Sequence, residues 1–209
     1  MSSLHWKEKT VGIAGCGGLG GYIVEYLLRL GVKHLVVCDG DALEESNLDR
    51  QILCRQDNLG QKKVEAAKER AKKIAPETDV EIHDVFVDAT NGKELFEHCD
   101  LVMDALDSTK ARDVLREICT ELQIPLIHGA IGDWGLQVGV LFPGDRFPES
   151  DTLSKREENV LSFVPAICAG LQVAEALKLL KGEDSSLESQ IRYMDLKELE
   201  DFTLCLEKE

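Results

Sequence analysis

Thr10-Val11-Gly12-Ile13-Ala14-Gly15-Cys16-Gly17-Gly18-Leu19-Gly20 is the stretch that decides the fold. It opens as a short apolar strand and runs straight into glycines. Gly15-Cys16-Gly17-Gly18-Leu19-Gly20 matches the pattern G-x-G-x-x-G, and Leu19 to Leu30 continues with Ile23, Leu27 and Leu30 at helical spacing. Strand, glycine turn and helix in immediate succession make a phosphate cradle. Gly15, Gly17, Gly18 and Gly20 allow a tight turn and close backbone approach, while the helix N-terminus offers free N–H groups and the positive end of its dipole.

Working outward, His34 to Cys38 reads as a second buried strand. It ends at Asp39, near the spacing expected of an acid that binds ribose hydroxyls. Lys62 to Ile74 is an amphipathic helix with Val64, Ala67, Ala71 and Ile74 on one face, stopped by Pro76. Val80 to Val87 alternates like a strand, Leu101 to Asp104 is a further strand, Thr109 to Leu122 a helix and Pro125 to Gly129 the next strand. This order predicts an α/β fold, a Rossmann-like doubly wound and mainly parallel sheet. Beyond Gly129, Gly135 to Phe142 reads as a strand, polar Pro143 to Asn159 as a mobile loop, and Val164 to Leu180 as an apolar helix. Gln190 to Asp195 and Glu200 to Leu206 read as a closing pair of antiparallel C-terminal strands.

The 209 residues suit a single domain, 1–209, with a sizeable core. The net charge of -15 argues against a nucleic-acid partner, because phosphate backbones demand clustered Lys and Arg. One nucleotide needs only a few local cations, so ATP is not excluded. No apolar run approaches the roughly 18 residues of a membrane span, and the N-terminus carries no apolar signal core. The expected location is cytoplasmic, with no membrane partner. The seven cysteines form no C-x-x-C pair, so they read as free thiols in a reducing compartment and no zinc is expected.

The glycine loop and Asp39 by themselves would equally suit an NAD-dependent oxidoreductase. Four ordered motifs weigh against that reading. Asp39-Gly40-Asp41 leads into Ser46-Asn47-Leu48-Asp49-Arg50-Gln51. Gly60-Gln61-Lys62-Lys63 follows, then Asp104-Ala105-Leu106-Asp107-Ser108, and finally Leu171-Gln172-Val173-Ala174-Glu175-Ala176-Leu177-Lys178. In these residues the sequence resembles the ThiF/MoeB/HesA family, bacterial relatives of ubiquitin-activating enzymes. The likeness runs from about Thr10 to Asp195.

The resemblance implies an adenylyltransferase that uses ATP and Mg²⁺. Its substrate would be the C-terminal glycine of a small ubiquitin-like sulfur-carrier protein, ThiS-like or MoaD-like and ending in Gly-Gly, and pyrophosphate would be released. By the same match Arg50 and Lys63 contact the phosphates, Asp107 holds Mg²⁺ and Asp39 accepts from the ribose. Asp41, Ser46, Asn47 and Ser108 belong to the nucleotide site, and Gly18 touches it through the backbone. The chemistry fits these residue types. Two anions must approach and charge grows on the leaving group, so fixed cations and a metal matter more than a base. The resemblance also implies a homodimer, with Leu136 to Phe142 and Val164 to Leu180 as candidate interface.

The bland readings are an exposed Arg50-Gln51 pair, an exposed Lys63 and an N-cap role around Ser108. His128 reads as a satisfied core histidine and Trp134 as packing. The family's N-terminal Arg-Tyr-x-Arg-Gln-like motif has no counterpart. Lys7 and Lys9 are the only cations before the first strand, which keeps a non-catalytic, ATP-binding partner subunit as an alternative. Pro143 to Asn159 holds no cysteine, so no lasting covalent link to the carrier is expected.

Overall fold

The structure is a computed structural model that describes residues 5–147 and 160–208. The nucleating unit is β1 (Thr10–Ala14), α1 (Gly18–Leu30) and β2 (His34–Cys38), joined in parallel with Thr10 opposite His34 and Ala14 opposite Cys38. α2 (Lys63–Ile74) returns the chain to β3 (Asp79–His83), which pairs in parallel with β2. α3 (Gly92–Phe96) then crosses to β4 (Leu101–Asp104) on the other side of β1, and α4 (Thr109–Leu122) leads to β5 (Leu126–Ile131). The strand order so far is β3-β2-β1-β4-β5, and the connections reverse direction between β1 and β4. In such sheets that reversal opens a crevice beyond the carboxyl ends of the strands.

The sheet is then extended by antiparallel strands. β6 (Gly135–Leu141) turns back along β5, and β7 (Asp145–Arg146) lies apart. After α5 (Phe163–Lys181), β8 (Gln190–Asp195) pairs with β6, and β9 (Glu200–Cys205) closes the eight-stranded sheet. β10 (Glu207–Lys208) pairs with β7 as a separate two-stranded ribbon.

Parallel strands are covered on both faces, which explains their continuous apolar runs. Val11, Ile13, Leu35, Val37, Leu101 and Met103 face one side and pack with α1, α2 and α5. Ala14, Val36, Cys38 and Val102 face the other side and pack with Phe96, Leu115 and Ile118 of α3 and α4. The doubly wound reading therefore holds.

Three expectations change. The strand predicted to reach Val87 stops at His83, because its neighbour β2 ends opposite at Cys38 and nothing remains to pair with. Val85, Phe86 and Val87 leave the sheet in a turn held by Asp88 and Asn91: Asn91 Nδ2 donates to the Phe86 carbonyl at 2.8 Å, and Asp88 Oδ1 accepts from Thr90 N at 2.7 Å.

The second change is that α5 is, by length and composition, apolar enough to cross a membrane, although no such run was expected. It is accounted for inside the protein: Val164, Cys168, Ala169, Val173 and Ala176 are buried among α1, β5 and β6. The third concerns the candidate interface. In β6 the side chains of Leu136, Val138, Val140 and Leu141 are already buried within this chain, since the strand lies between β5 and β8. Of the two segments, α5 is the one with exposed large apolar side chains among the described residues, at Phe163 and Ile167. Most of the polar segment between Pro143 and Asn159 lies outside the described residues.

Candidate active site

A cavity of about 400 Å³ lies at the β1/β4 reversal. The glycine turn forms one wall. Gly15 has φ +93°, and a Cβ there would stand 2.6 Å from the Ala105 carbonyl oxygen, so the turn is pressed against the end of β4. Gly17 is the N-cap of α1 and supplies no side-chain cap, which leaves the first helical N–H groups for an anion. Gly15, Gly17 and Gly18 line the cavity. Gly20 does not. A Cβ on Gly20 would lie 2.0 Å from the Gly15 carbonyl oxygen, so its part is to seat the helix against the turn. Gly20→Ala should therefore destabilise the fold by about 3 kcal/mol through overpacking. Urea denaturation would read this, and an unchanged midpoint would refute it.

The second wall carries Asp39, Asp41 and Lys63. Asp39 is buried, and its Oδ2 accepts from the Cys16 N–H at 2.7 Å, tying the end of β2 to the glycine turn. Its Oδ1 accepts from the Asp41 N–H at 2.8 Å. Each carboxylate oxygen has a second lone pair, so capacity for a ribose hydroxyl remains. Burial pushes the Asp39 carboxyl above its ordinary range, against the opposing pull of the Cys16 N–H and Lys63. Lys63 is not an exposed residue opening a helix. It is buried, with Nζ 2.8 Å from Asp41 Oδ2 and 3.9 Å from Asp39 Oδ1. Cys16 is fully buried and its thiol is pushed strongly upward by that burial and by Asp39. It packs; it is no thiolate.

Arg50 lines the cavity, with Nη1 donating to the Ser46 carbonyl at 2.8 Å and to Asp49 Oδ1 at 2.7 Å. Ser46 and Asn47 are not among the lining residues. They build the turn that presents Arg50: the Asn47 side chain accepts from the Glu44 N–H at 3.1 Å, and its carbonyl accepts from Gln51 N at 2.9 Å. Asp107 is exposed and lines the cavity from the β4–α4 junction. Ser108 beside it does not; its hydroxyl caps α4 by accepting from Ala111 N at 3.2 Å.

Further lining residues were not anticipated: Arg112, and Val85, Phe86 and Val87. Arg112 had a signal in the sequence, since it falls on the helix face of Leu115 and Cys119, where a cation has no business unless held. It is buried and donates Nε and Nη2 to the Leu106 carbonyl at 3.1 and 2.7 Å. Next to it, His128 is buried as expected, with Nδ1 2.9 Å from Asp104 Oδ2 and Nε2 3.2 Å from Gln137 Oε1. Burial works to raise the Asp104 carboxyl. The His128 hydrogen bond, the Arg112 charge and the Leu106 N–H outweigh it and hold that carboxyl below its ordinary range. Trp134 packs edge-on against Phe163 at 5.5 Å.

The arrangement brings helix N–H groups, Arg50, Lys63 and the Asp107 carboxylate around one crevice. It suits a nucleotide with its phosphates on the cations. Comparison with known proteins agrees. The ThiF family model matches residues 2–209. The SAMP-activating enzyme E1 of Haloferax volcanii is 33% identical over 201 residues, covering 92% of this chain and 74% of that protein. The sulfur carrier protein adenylyltransferase of Thermus thermophilus is 32% identical over 208 residues, covering 92% and 76%. HesA of Leptolyngbya boryana is 30% identical over 200 residues, covering 93% and 72%. Among solved structures, E. coli MccB with ATP superposes with a TM-score of 0.88 at 20% identity, covering 99% of this chain and 67% of that one, a likeness of fold. The order of motifs, the crevice they build and the match along nearly the whole sequence agree, and the chain belongs to the ThiF family.

Proposed function

We propose that the chain is an ATP-dependent adenylyltransferase acting as one domain, 1–209, on the C-terminal glycine of a ubiquitin-like sulfur-carrier protein. The observation that carries this reading is the convergence of Gly17, Gly18, Asp39, Arg50, Lys63 and Asp107, from separate stretches of sequence, on one cavity. The carrier carboxylate attacks the α-phosphate of ATP, and pyrophosphate departs. Arg50 holds phosphate oxygens with its planar fork, and Lys63 adds a point charge once drawn from Asp41. Asp107 suits Mg²⁺, which takes one or two carboxylates and fills its remaining positions with phosphate oxygens and water. Bound there, the metal would offset charge on the leaving group.

Asp39 receives the ribose, and the base lies beyond it. Phe86 is 65% exposed although aromatic, lines the cavity, and packs so close to Gly40 that a Cβ there would meet its ring at 2.8 Å. A flat base would cover that ring. Phe86→Ala should weaken ATP on the order of 10-fold by calorimetry and leave inorganic triphosphate unaffected. Equal losses for both would remove the base from this wall.

The deciding experiment is carrier-dependent exchange of labelled pyrophosphate into ATP, with ThiS-like and MoaD-like proteins ending in Gly-Gly. Measured ATP binding with no exchange would favour the second reading, a non-catalytic ATP-binding subunit. One observation favours that alternative: Lys9 is paired with Asp100 and Lys7 lies 5.6 Å over the Trp6 ring, so both are engaged within their own chain. Calorimetry with NAD in place of ATP tests the oxidoreductase.

We also place the protein in the cytoplasm, as a homodimer. Phe163 and Ile167 remain exposed on α5, which packs on α1, where the Tyr26 hydroxyl donates to the Ala166 carbonyl at 3.4 Å. Twofold dimers are the commonest oligomers. Light scattering at micromolar concentration should give twice the chain mass, and Ile167→Asp should halve it. A wild-type monomer would refute the dimer.

A further inference from the structure

The end of β4 is held by more than its ladder. Pairing with β5 stops at Met103 opposite Ile127. Side chains take over. Gln172 Nε2 donates to the carbonyls of Asp104 and Ile127, at 2.9 and 3.0 Å. The Asp104 carboxylate accepts from the Leu106 N–H through Oδ1 at 3.1 Å, while its Oδ2 meets His128 Nδ1 at 2.9 Å. The Leu106 carbonyl takes both N–H groups of Arg112. Leu106 is thus held at its N–H and at its C=O, and the residue that follows is Asp107.

Burying a carboxylate, an imidazole and a guanidinium together costs free energy that apolar side chains would not. Asp104 and His128 have no solvent exposure, and neither lines the cavity. The carboxylate, imidazole and guanidinium of this cluster are all hydrogen-bonded, although the neighbouring Gln172 Oε1 has no partner among the described residues; such bonding rigidifies its surroundings. What it rigidifies here is the one peptide segment that must deliver a carboxylate at a set distance from the phosphates.

We propose that His128 is a positioning residue: by holding Asp104 it fixes the Leu106 peptide and so aims the Asp107 carboxylate at the metal. This rests on the assignment of Asp107 to Mg²⁺ made above. Gln137, whose Oε1 is 3.2 Å from His128 Nε2, sets the imidazole ring in turn. Groups hydrogen-bonded directly to a metal ligand commonly change metal affinity by about 10- to 100-fold when removed, and His128, acting through Asp104 and Leu106, falls at the lower end.

The test is Mn²⁺ binding, read by electron paramagnetic resonance, in the presence of a non-hydrolysable ATP analogue. His128→Leu should weaken Mn²⁺ on the order of 10-fold and leave metal-free nucleotide binding unchanged. His128→Asn should restore most of it, because its amide N–H can donate to Asp104 as Nδ1 does. If His128→Leu does not fold, His128→Gln, which cannot place a donor at the Nδ1 position, carries the same expectation. In an Asp107→Asn background, His128→Leu should cause no further loss. Equal losses in both backgrounds, or wild-type Mn²⁺ affinity in His128→Leu, would overturn the inference. If Asp107→Asn itself left Mn²⁺ binding intact, the metal assignment would fall first, and this inference with it.

Discussion

Asp107→Ala should reduce carrier-dependent pyrophosphate exchange on the order of 100-fold or more, the cost of removing one preorganised charge-stabilising group. The fold should survive, because Asp107 is exposed and the cap of α4 is supplied by its neighbour Ser108. Surface substitutions of this kind change stability by about 0.5 kcal/mol or less. ATP should still bind without metal, since Arg50, Lys63 and the glycine turn are untouched. The loss should therefore fall on the metal-dependent part of the reaction. Near-native exchange in Asp107→Ala would show that the metal lies elsewhere in the cavity, and the proposed active site would have to be redrawn.

Arg50→Ala should have an effect of similar size, on the order of 100-fold in exchange, but with a different signature. Its guanidinium lines the cavity and is held by the Ser46 carbonyl and Asp49, so the fork is set before ligand arrives. Removing it takes charge from the phosphates in the ground state as well as during transfer. ATP affinity should fall together with turnover. Arg50→Lys should recover only part of the loss, because an ammonium group cannot hold two phosphate oxygens in one plane. Unaltered ATP affinity in Arg50→Ala would remove Arg50 from phosphate contact.

The two predictions draw on residues that were legible in the sequence to different degrees. Arg50 and Asp107 stood out only as members of ordered motifs, since a lone Arg or Asp carries no signal. Lys63 read locally as an exposed helix opener, yet it is buried between Asp39 and Asp41, because α2 docks its first turn against the end of β2. Arg112 went unread because helix periodicity marks a buried position without saying what a charge there would hold. Phe86 was assigned to a strand, since alternation in Val85 and Val87 looks the same whether the next strand exists or not.

By itself the sequence determined the alternation of parallel strands and helices, the glycine turn on the first helix and the motifs that mark the family. These are local properties: side-chain period, apolar runs and residues that tolerate tight turns. Only the tertiary structure decided which motif members face the cavity. Gly15, Gly17, Gly18, Asp39, Asp41, Arg50, Lys63 and Asp107 do, whereas Gly20, Ser46, Asn47 and Ser108 brace the turns and helix ends that carry them. It also decided that β3 stops where β2 ends, that β6 is interior, and that Asp104, Arg112 and His128 form one buried cluster. The reason is common to all of these. Each depends on which distant segment lies alongside, and that is settled when the sheet assembles around the β1/β4 reversal, not by the spacing of residues along the chain.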